Sequence, residues 1–243
     1  MKLVDPRSSL IVADPNGQSV VLTHLRPLIK TLFQGFDLGA VPVGKLSNDG
    51  IHFREPQPDF ELLHRGEKGS WESQALLQGN GFETVGDKTY MWYGGWDDDV
   101  TLATGHAQVG LATLRRDGFG SLSPIKLPDL PNKYPFYPLN IDSPAAFITC
   151  SIKVNGTGKV WINADGLSDE AKLRVELVDE AENPLPDFSG ENSIPLVRSG
   201  VRLPVAWKNN TELRNLPVPF NVKVSFEGKQ RQSIKFYAMY ITK

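Results

Sequence analysis

Val109-Gly110-Leu111-Ala112-Thr113-Leu114-Arg115-Arg116-Asp117-Gly118-Phe119 is an apolar run of strand length closed by an Asp-Gly pair. Gly reaches positive φ without strain, and Asp tolerates it better than most residues, so the pair suits a tight turn. The same pattern occurs twice upstream. Leu46-Ser47-Asn48-Asp49-Gly50-Ile51-His52-Phe53-Arg54-Glu55-Pro56 and Gln78-Gly79-Asn80-Gly81-Phe82 each set strand residues against an Asp-Gly or Asn-Gly turn. Gly and Pro punctuate short β-rich runs throughout, which predicts an all-β chain. Expected strands are 10–13, 19–22, 82–85, 89–93, 108–115, 148–155, 159–164, 172–178, 218–226 and 233–241. Leu173-Arg174-Val175-Glu176-Leu177-Val178 alternates strictly, as does Val222–Phe226, so each has one buried and one wet face. The helix signal is confined to His24–Phe33, where Pro27 fits only a first turn.

The chain divides by composition. Pro124, Pro128, Pro131, Pro135, Pro138 and Pro144 crowd one stretch. Proline fixes φ and removes a ladder donor, so residues 122–145 read as a connector. Residues 1–121 carry the turn-bounded runs and read as partial β-propeller blades. Residues 146–243 place strands at roughly 8–12-residue spacing and read as an antiparallel β-sandwich. Asp179–Pro184 reads as a hairpin loop between two of its strands.

Composition narrows the functional classes. Hydrophobic residues make up 40% and charged residues 22% of 243 residues, and the formal net charge is -2. A chain so balanced offers no basic face for nucleic acid or an anionic membrane. No stretch approaches the ~20 apolar residues that cross a bilayer, and Met1–Pro6 starts no apolar leader core, which leaves the compartment open. Cys150 is the only cysteine. It excludes an internal disulfide and is expected as a buried strand thiol.

The order of motifs resembles a known group. Lys159-Val160-Trp161-Ile162-Asn163-Ala164-Asp165 is followed by Leu173–Asp179, Pro184-Leu185-Pro186-Asp187-Phe188-Ser189, Val205-Ala206-Trp207-Lys208 and Lys235-Phe236-Tyr237-Ala238-Met239-Tyr240. With the three turn-bounded runs, this succession resembles proteins similar to glycoside hydrolase families 32 and 43, from about Leu46 to the end. The resemblance implies a five-bladed propeller, a sandwich that braces it, and a carbohydrate as partner. In such propellers, carboxylates from different blades meet in a central funnel. Cleavage needs two of them flanking the glycosidic bond.

Gly69-Ser70-Trp71-Glu72-Ser73-Gln74 leads into Ala75–Phe82, and Thr84–Asp97 follows. Glu72 is the candidate catalytic carboxylate. Trp71, Gln78, Asn80, Trp92, Trp96 and Asp97 are candidate sugar contacts, the tryptophans because apolar sugar faces stack on aromatic planes. Trp161 and Trp207 invite the same reading but alternate with core residues and are expected to pack. Asp97-Asp98-Asp99 is read as a solvated loop, since neighbours on an extended strand face opposite sides. No metal site and no cofactor are expected. Asp14-Pro15-Asn16-Gly17 resembles the nucleophile motif of family 32, but lacks the residues that precede it there and reads as a β-turn.

A propeller blade takes roughly 40–45 residues, so residues 1–121 hold about three blades, not five. A shortened or truncated protein is the expected explanation, and a homo-oligomer could cover the open blade edges. Two functions follow. One is a carbohydrate-active protein, the C-terminal part of a family 32/43-like hydrolase without a complete active site. The other is a non-catalytic β-sandwich module for carbohydrate binding or protein assembly. A second carboxyl group within about 10 Å of Glu72 would separate them.

Overall fold

A computed structural model of the chain describes residues 9–13, 19–23, 43–47, 61–97, 106–124, 145–154, 156–214, 216 and 219–242. It is all-β, with every sheet antiparallel and, among the described residues, no helix beyond short 3-10 turns. The chain divides into two compact units, Met1–Phe119 and Gly120–Lys243.

The first unit contains two three-stranded sheets. β1 (Ser9–Ala13), β2 (Ser19–Thr23) and β3 (Val43–Ser47) form one; β4 (Ala75–Val85), β5 (Lys88–Trp96) and β6 (Ala107–Arg115) form the other. In both, spatial order follows chain order. Ala13 opposes Ser19, but the Asp14–Gly17 motif between them lies outside the described residues. So do 48–56 of the Leu46 run and the short helix expected over His24–Phe33. β4 and β5 meet through a two-residue turn, with Val85 opposite Lys88 and Gly86 at φ 58, a conformation such hairpins demand.

The run Gln78–Phe82 does not turn the chain, contrary to its sequence signature. β4 continues through it with a bulge. Gln78 pairs with Tyr93 and Phe82 with Met91, so residues 79–81 share the single position opposite Trp92. A Cβ on Gly79 would lie 2.2 Å from the Trp92 carbonyl oxygen. The glycine allows the bulged backbone to approach its partner strand. β6 ends as the opening run predicts. Gly118 N–H donates to Arg115 O at 2.9 Å, and Asp117 takes φ 52. Arg116 ties this turn to the β4–β5 hairpin, through its N–H to Asp87 O and its Nη1 to Gly86 O.

The second unit is a β-sandwich. Its strands are β7 (Ala145–Ile148), β8 (Lys159–Asp165), β9 (Lys172–Val178), β10 (Gly200–Pro204), β11 (Asn221–Glu227) and β12 (Lys235–Thr242). They form sheets ordered β10-β8-β12 and β7-β11-β9. Alternation sends Val160, Ile162 and Ala164 of β8 into one core with Leu173, Val175 and Leu177 of β9 and Val222, Val224 and Phe226 of β11. Burying apolar area at about 25 cal/mol per Å² is what holds such sheets together. Trp207 is fully buried, edge-on to Phe188 at 5.1 Å, with Nε1 donating to Val175 O at 3.1 Å. Its stacking face is therefore spent on the core. The outer edge of β9 is not left open. Ser193 Oγ also donates to Val175 O, Ser189 Oγ donates to Leu177 O, and Leu173 bridges Leu196. A covered edge cannot recruit another strand. The Asp179–Pro184 loop closes on itself, with Asp179 Oδ1 accepting the Ala181 and Asn183 N–H groups.

Leu122 exchanges both backbone hydrogen bonds with Phe236 of β12. The start of the proline-rich stretch is thus a bridge partner of the sandwich, and residues 125–144 lie outside the described residues. Cys150 corrects a sequence expectation. β7 stops at Ile148, and the thiol is exposed just beyond it rather than buried in a strand.

Candidate functional site

Glu72 sits in the loop that leads into β4. That loop is pinned at both ends: Gln74 N–H donates to Trp96 O at 2.9 Å, and Gly66 N–H to Glu72 O at 3.3 Å. β5 supplies the partner. Alternation along β5 turns Thr89, Met91, Tyr93 and Gly95 to one face, where Thr89, Met91 and Gly95 are buried. Tyr93 O–H donates to Glu72 Oε2 at 2.6 Å. The Trp71 ring stacks on Tyr93, with centroids 5.9 Å apart and planes 22° from parallel. Trp71, Glu72 and Tyr93 form one cluster.

Two glycines make room for it. A Cβ on Gly95 would lie 2.4 Å from Trp71 Cζ3 and 2.9 Å from Glu72 Cβ; one on Gly110 would lie 2.3 Å from Tyr93 Cζ. Gly110 of β6 stands directly opposite Tyr93. The glycine of the Val109–Phe119 run is thus the seat of the tyrosine that holds Glu72.

The pair has a defined electrostatic state. Burial raises the Tyr93 phenol first, and the hydrogen bond to Glu72 and the charge of that carboxylate raise it further, to about 12. The phenol therefore remains a donor throughout the physiological range. Among the described residues, no donor reaches Glu72 Oε1, which lies beside Gly66. Ser70 Oγ, also close to the Cβ position of Gly66, is buried and has no hydrogen-bond partner among the described residues.

The other sequence candidates fall elsewhere. Trp92 and Trp96 lie on the opposite face of β5 from Tyr93. Trp92 is 45% exposed and opposes Leu111, which is 53% exposed; Val109 and Val85 of the same face are also exposed. Asp97 is occupied at the loop end of the β5–β6 pair, just beyond Trp96. Its Oδ1 accepts His106 N–H at 2.8 Å, and its Oδ2 meets His106 Nδ1 at 3.2 Å. The His106 backbone N–H is the main reason its carboxyl lies below the usual range. The side chains of Gln78 and Asn80, and residues Asp98 and Asp99, lie outside the described part of the structure. Among the described residues, no group of three or more His, Cys, Asp or Glu is placed to hold a metal ion. In the sandwich, the Arg202 guanidinium lies 4.9 Å from the Trp161 ring centroid, and Trp161 Nε1 donates to Thr242 Oγ1. One face of that ring is engaged by a cation.

Sequence reading missed Tyr93, Gly95 and Gly110. The local signal is Tyr93-Gly94-Gly95-Trp96, where small residues interrupt a strand rich in aromatics. Glycine inside a strand marks close approach by another group. A polar depression of about 470 Å³ is lined by Gly66 together with Glu61, His64, Arg65, Lys68, Ser73 and Gln74. No family model, curated protein or solved structure matches this chain.

Proposed function

We propose that this chain is a carbohydrate-binding protein related to the family 32/43-like glycoside hydrolases, in which Glu72 holds sugar hydroxyls without cleaving the glycosidic bond. The observation that carries the reading is the state of Glu72. One carboxylate oxygen is fixed by Tyr93, the other has no donor among the described residues, and an aromatic pair lies alongside. Such a combination suits a sugar, whose hydroxyls need a fixed acceptor and whose C–H faces pack on rings. The order of the sequence motifs supports the family, and the all-β fold is compatible with it.

The test is a panel of neutral oligosaccharides titrated against wild type and Glu72→Gln, followed by tryptophan fluorescence, with release of aryl leaving groups measured in parallel. The expected result is binding that weakens at least about tenfold in Glu72→Gln, with no turnover; a lost hydrogen bond to a charged group is worth that much. Glu72-dependent turnover, or no binding by any sugar, refutes the reading.

One observation favours an assembly role as a second reading. Trp92, Leu111 and Val109 expose neighbouring apolar side chains on one face of the β5-β6 pair, and such faces mark interaction surfaces. Light scattering on wild type and Trp92→Lys tests it. Self-association that the lysine abolishes supports it, and a wild-type monomer refutes it as a self-assembly face.

A further inference from the structure

β6 ends its sheet. The strand order is β4-β5-β6, so one side of Ala107–Arg115 meets no strand among the described residues. The phase of its backbone follows from β5. Trp96 O accepts Gln74 N–H on the β4 side, whereas Asp97 N–H donates to His106 O and Asp87 O accepts Arg116 N–H on the β6 side. Successive residues of a central strand address opposite neighbours, and the β5–β6 register runs unbroken from Lys88 opposite Arg115 to Trp96 opposite Ala107. Gln108, Gly110, Ala112 and Leu114 therefore bond to β5, while Val109, Leu111 and Thr113 direct N–H and C=O outward. The side chains of those three are exposed too, Val109 at 80%. Edge strands are ordinarily blunted by a charge, a proline or a bulge. Ala107–Leu114 carries no charged residue and no proline, and its register against β5 has no shift.

We propose that this edge pairs with the same edge of a second copy, giving an antiparallel, twofold-symmetric dimer with one continuous sheet. The pairing is independent of the carbohydrate reading; it rests on the assembly reading and names its partner and its contact. The strand is complementary to itself. Leu111 is the midpoint of the 9 residues of Ala107–Arg115. With the axis at Leu111 the whole strand pairs: Leu111 faces its own copy, Val109 faces Thr113 of the copy, and Gly110 faces Ala112. The outward N–H and C=O groups then meet as hydrogen-bonded pairs. β-Branched residues oppose one another, small residues meet on the Tyr93 face, and Arg115 opposes Ala107, so no like charges collide. Trp92 lies opposite Leu111 within each copy, and the apolar row Trp92-Leu111 continues across the seam into its copy. Such a contact closes on itself, so it uses up the edge instead of propagating. One strand pair buries little area, so the dimer is weak and is read at high micromolar concentration.

The test is cysteine cross-linking of the full chain in a Cys150→Ser background, which removes the exposed native thiol. Facing residues of a hydrogen-bonded antiparallel pair have Cα atoms about 5.5 Å apart, within the roughly 4.4–6.8 Å that a disulfide spans. Leu111→Cys is therefore expected to give a covalent dimer on oxidation with copper phenanthroline. Val109→Cys and Thr113→Cys each lie about 14 Å from their own copies; each is expected to stay uncrosslinked alone and to bridge when the two are mixed. Light scattering is expected to find a wild-type dimer whose dissociation constant rises at least about fivefold in Leu111→Lys, which sets two like charges at the axis. A wild-type dimer in which none of these variants bridges overturns this inference and leaves the assembly reading standing on the Trp92 face. Equal bridging by all three variants alone overturns the register and the twofold pairing with it. A wild-type monomer overturns both readings.

Discussion

Replacing Gly110 by alanine tests the site at the position where it is tightest. The new methyl would begin 2.3 Å from Tyr93 Cζ and 2.6 Å from its hydroxyl oxygen, where carbon contacts prefer about 3.5–4.0 Å. The ring must withdraw by about 1 Å, and its 2.6 Å bond to Glu72 does not survive that movement. Overpacking of this kind costs about 1–3 kcal/mol. Losing a hydrogen bond to a charged group costs about 1.5–3 kcal/mol, reduced here because water reaches a half-buried pair. Alanine in place of glycine inside a strand returns about 0.5–1 kcal/mol. The net expectation is a loss of about 2 kcal/mol. With a urea slope of about 1–3 kcal/mol per M, the unfolding midpoint falls by about 1 M. The decisive comparison repeats the change in a Tyr93→Ala background, where no ring opposes the methyl. There Gly110→Ala becomes neutral or stabilising, a coupling of about 2 kcal/mol. Equal cost in both backgrounds refutes the idea that Gly110 exists to seat Tyr93.

Three further outcomes follow from the geometry. Absorbance titration should find one of the six tyrosines ionising near pH 12, and Glu72→Gln should bring it part of the way back towards 10, because burial remains. Since the folded-state value is raised, the linked stability is present below about pH 10 and lost as pH rises through about 12. Solvent screening holds it to about 1 kcal/mol, and Tyr93→Phe removes that pH dependence of the urea midpoint. For Asp97, whose carboxyl is lowered, the His106 contact is present above the ordinary carboxylate range and is lost as pH falls through the depressed value; the His106 amide shift should report this and stay flat in Asp97→Asn. Trp207→Ala should cost about 3–5 kcal/mol in the sandwich, as a large core site is emptied while Ser193 Oγ still satisfies the Val175 carbonyl; a urea midpoint shift under about 0.5 M would contradict its core role.

Where the sequence was readable, the information was local. Leu173–Val178 alternates with period two, and the structure buries Leu173, Val175 and Leu177; nothing distant is needed for that inference. The Arg115–Gly118 turn was readable for the same reason. Asn80-Gly81 was misread because a turn and a bulge draw on the same conformationally permissive residues, and only the partner strand distinguishes them. Cys150 was misplaced because Ile148-Thr149-Cys150-Ser151-Ile152 keeps strand-like composition across a gap in the pairing, between Thr149 N–H on Val222 O and the Ile152–Phe220 bridge, where the thiol is exposed. Glu72 stood out as a carboxylate between aromatic and polar neighbours, but its partner is 21 residues away and its partner's seat lies on a third strand. That register is set by the sheet, and no spacing in the linear chain announces it.

The bond that orients Glu72 also argues about what it can do. Cleaving a glycoside takes one group that gives a proton and another that receives one or attacks, and their pKa values must be set apart around the working pH. Tyr93 is the ionisable partner of Glu72 in the structure, and its phenol keeps its proton up to about 12. A phenol held that firmly is poorly matched to proton transfer near neutrality, where efficiency favours a group with a pKa close to the operating pH. It is well matched to fixing one oxygen of a carboxylate so that the other points in a constant direction. A fixed acceptor beside a ring pair lowers the ordering cost of holding a sugar without supplying either proton step. Tyr93→Phe therefore discriminates the two uses: a binding carboxylate freed from its phenol loses orientation and affinity together, whereas a catalytic acid relieved of a firm hydrogen bond would change its pH–rate profile.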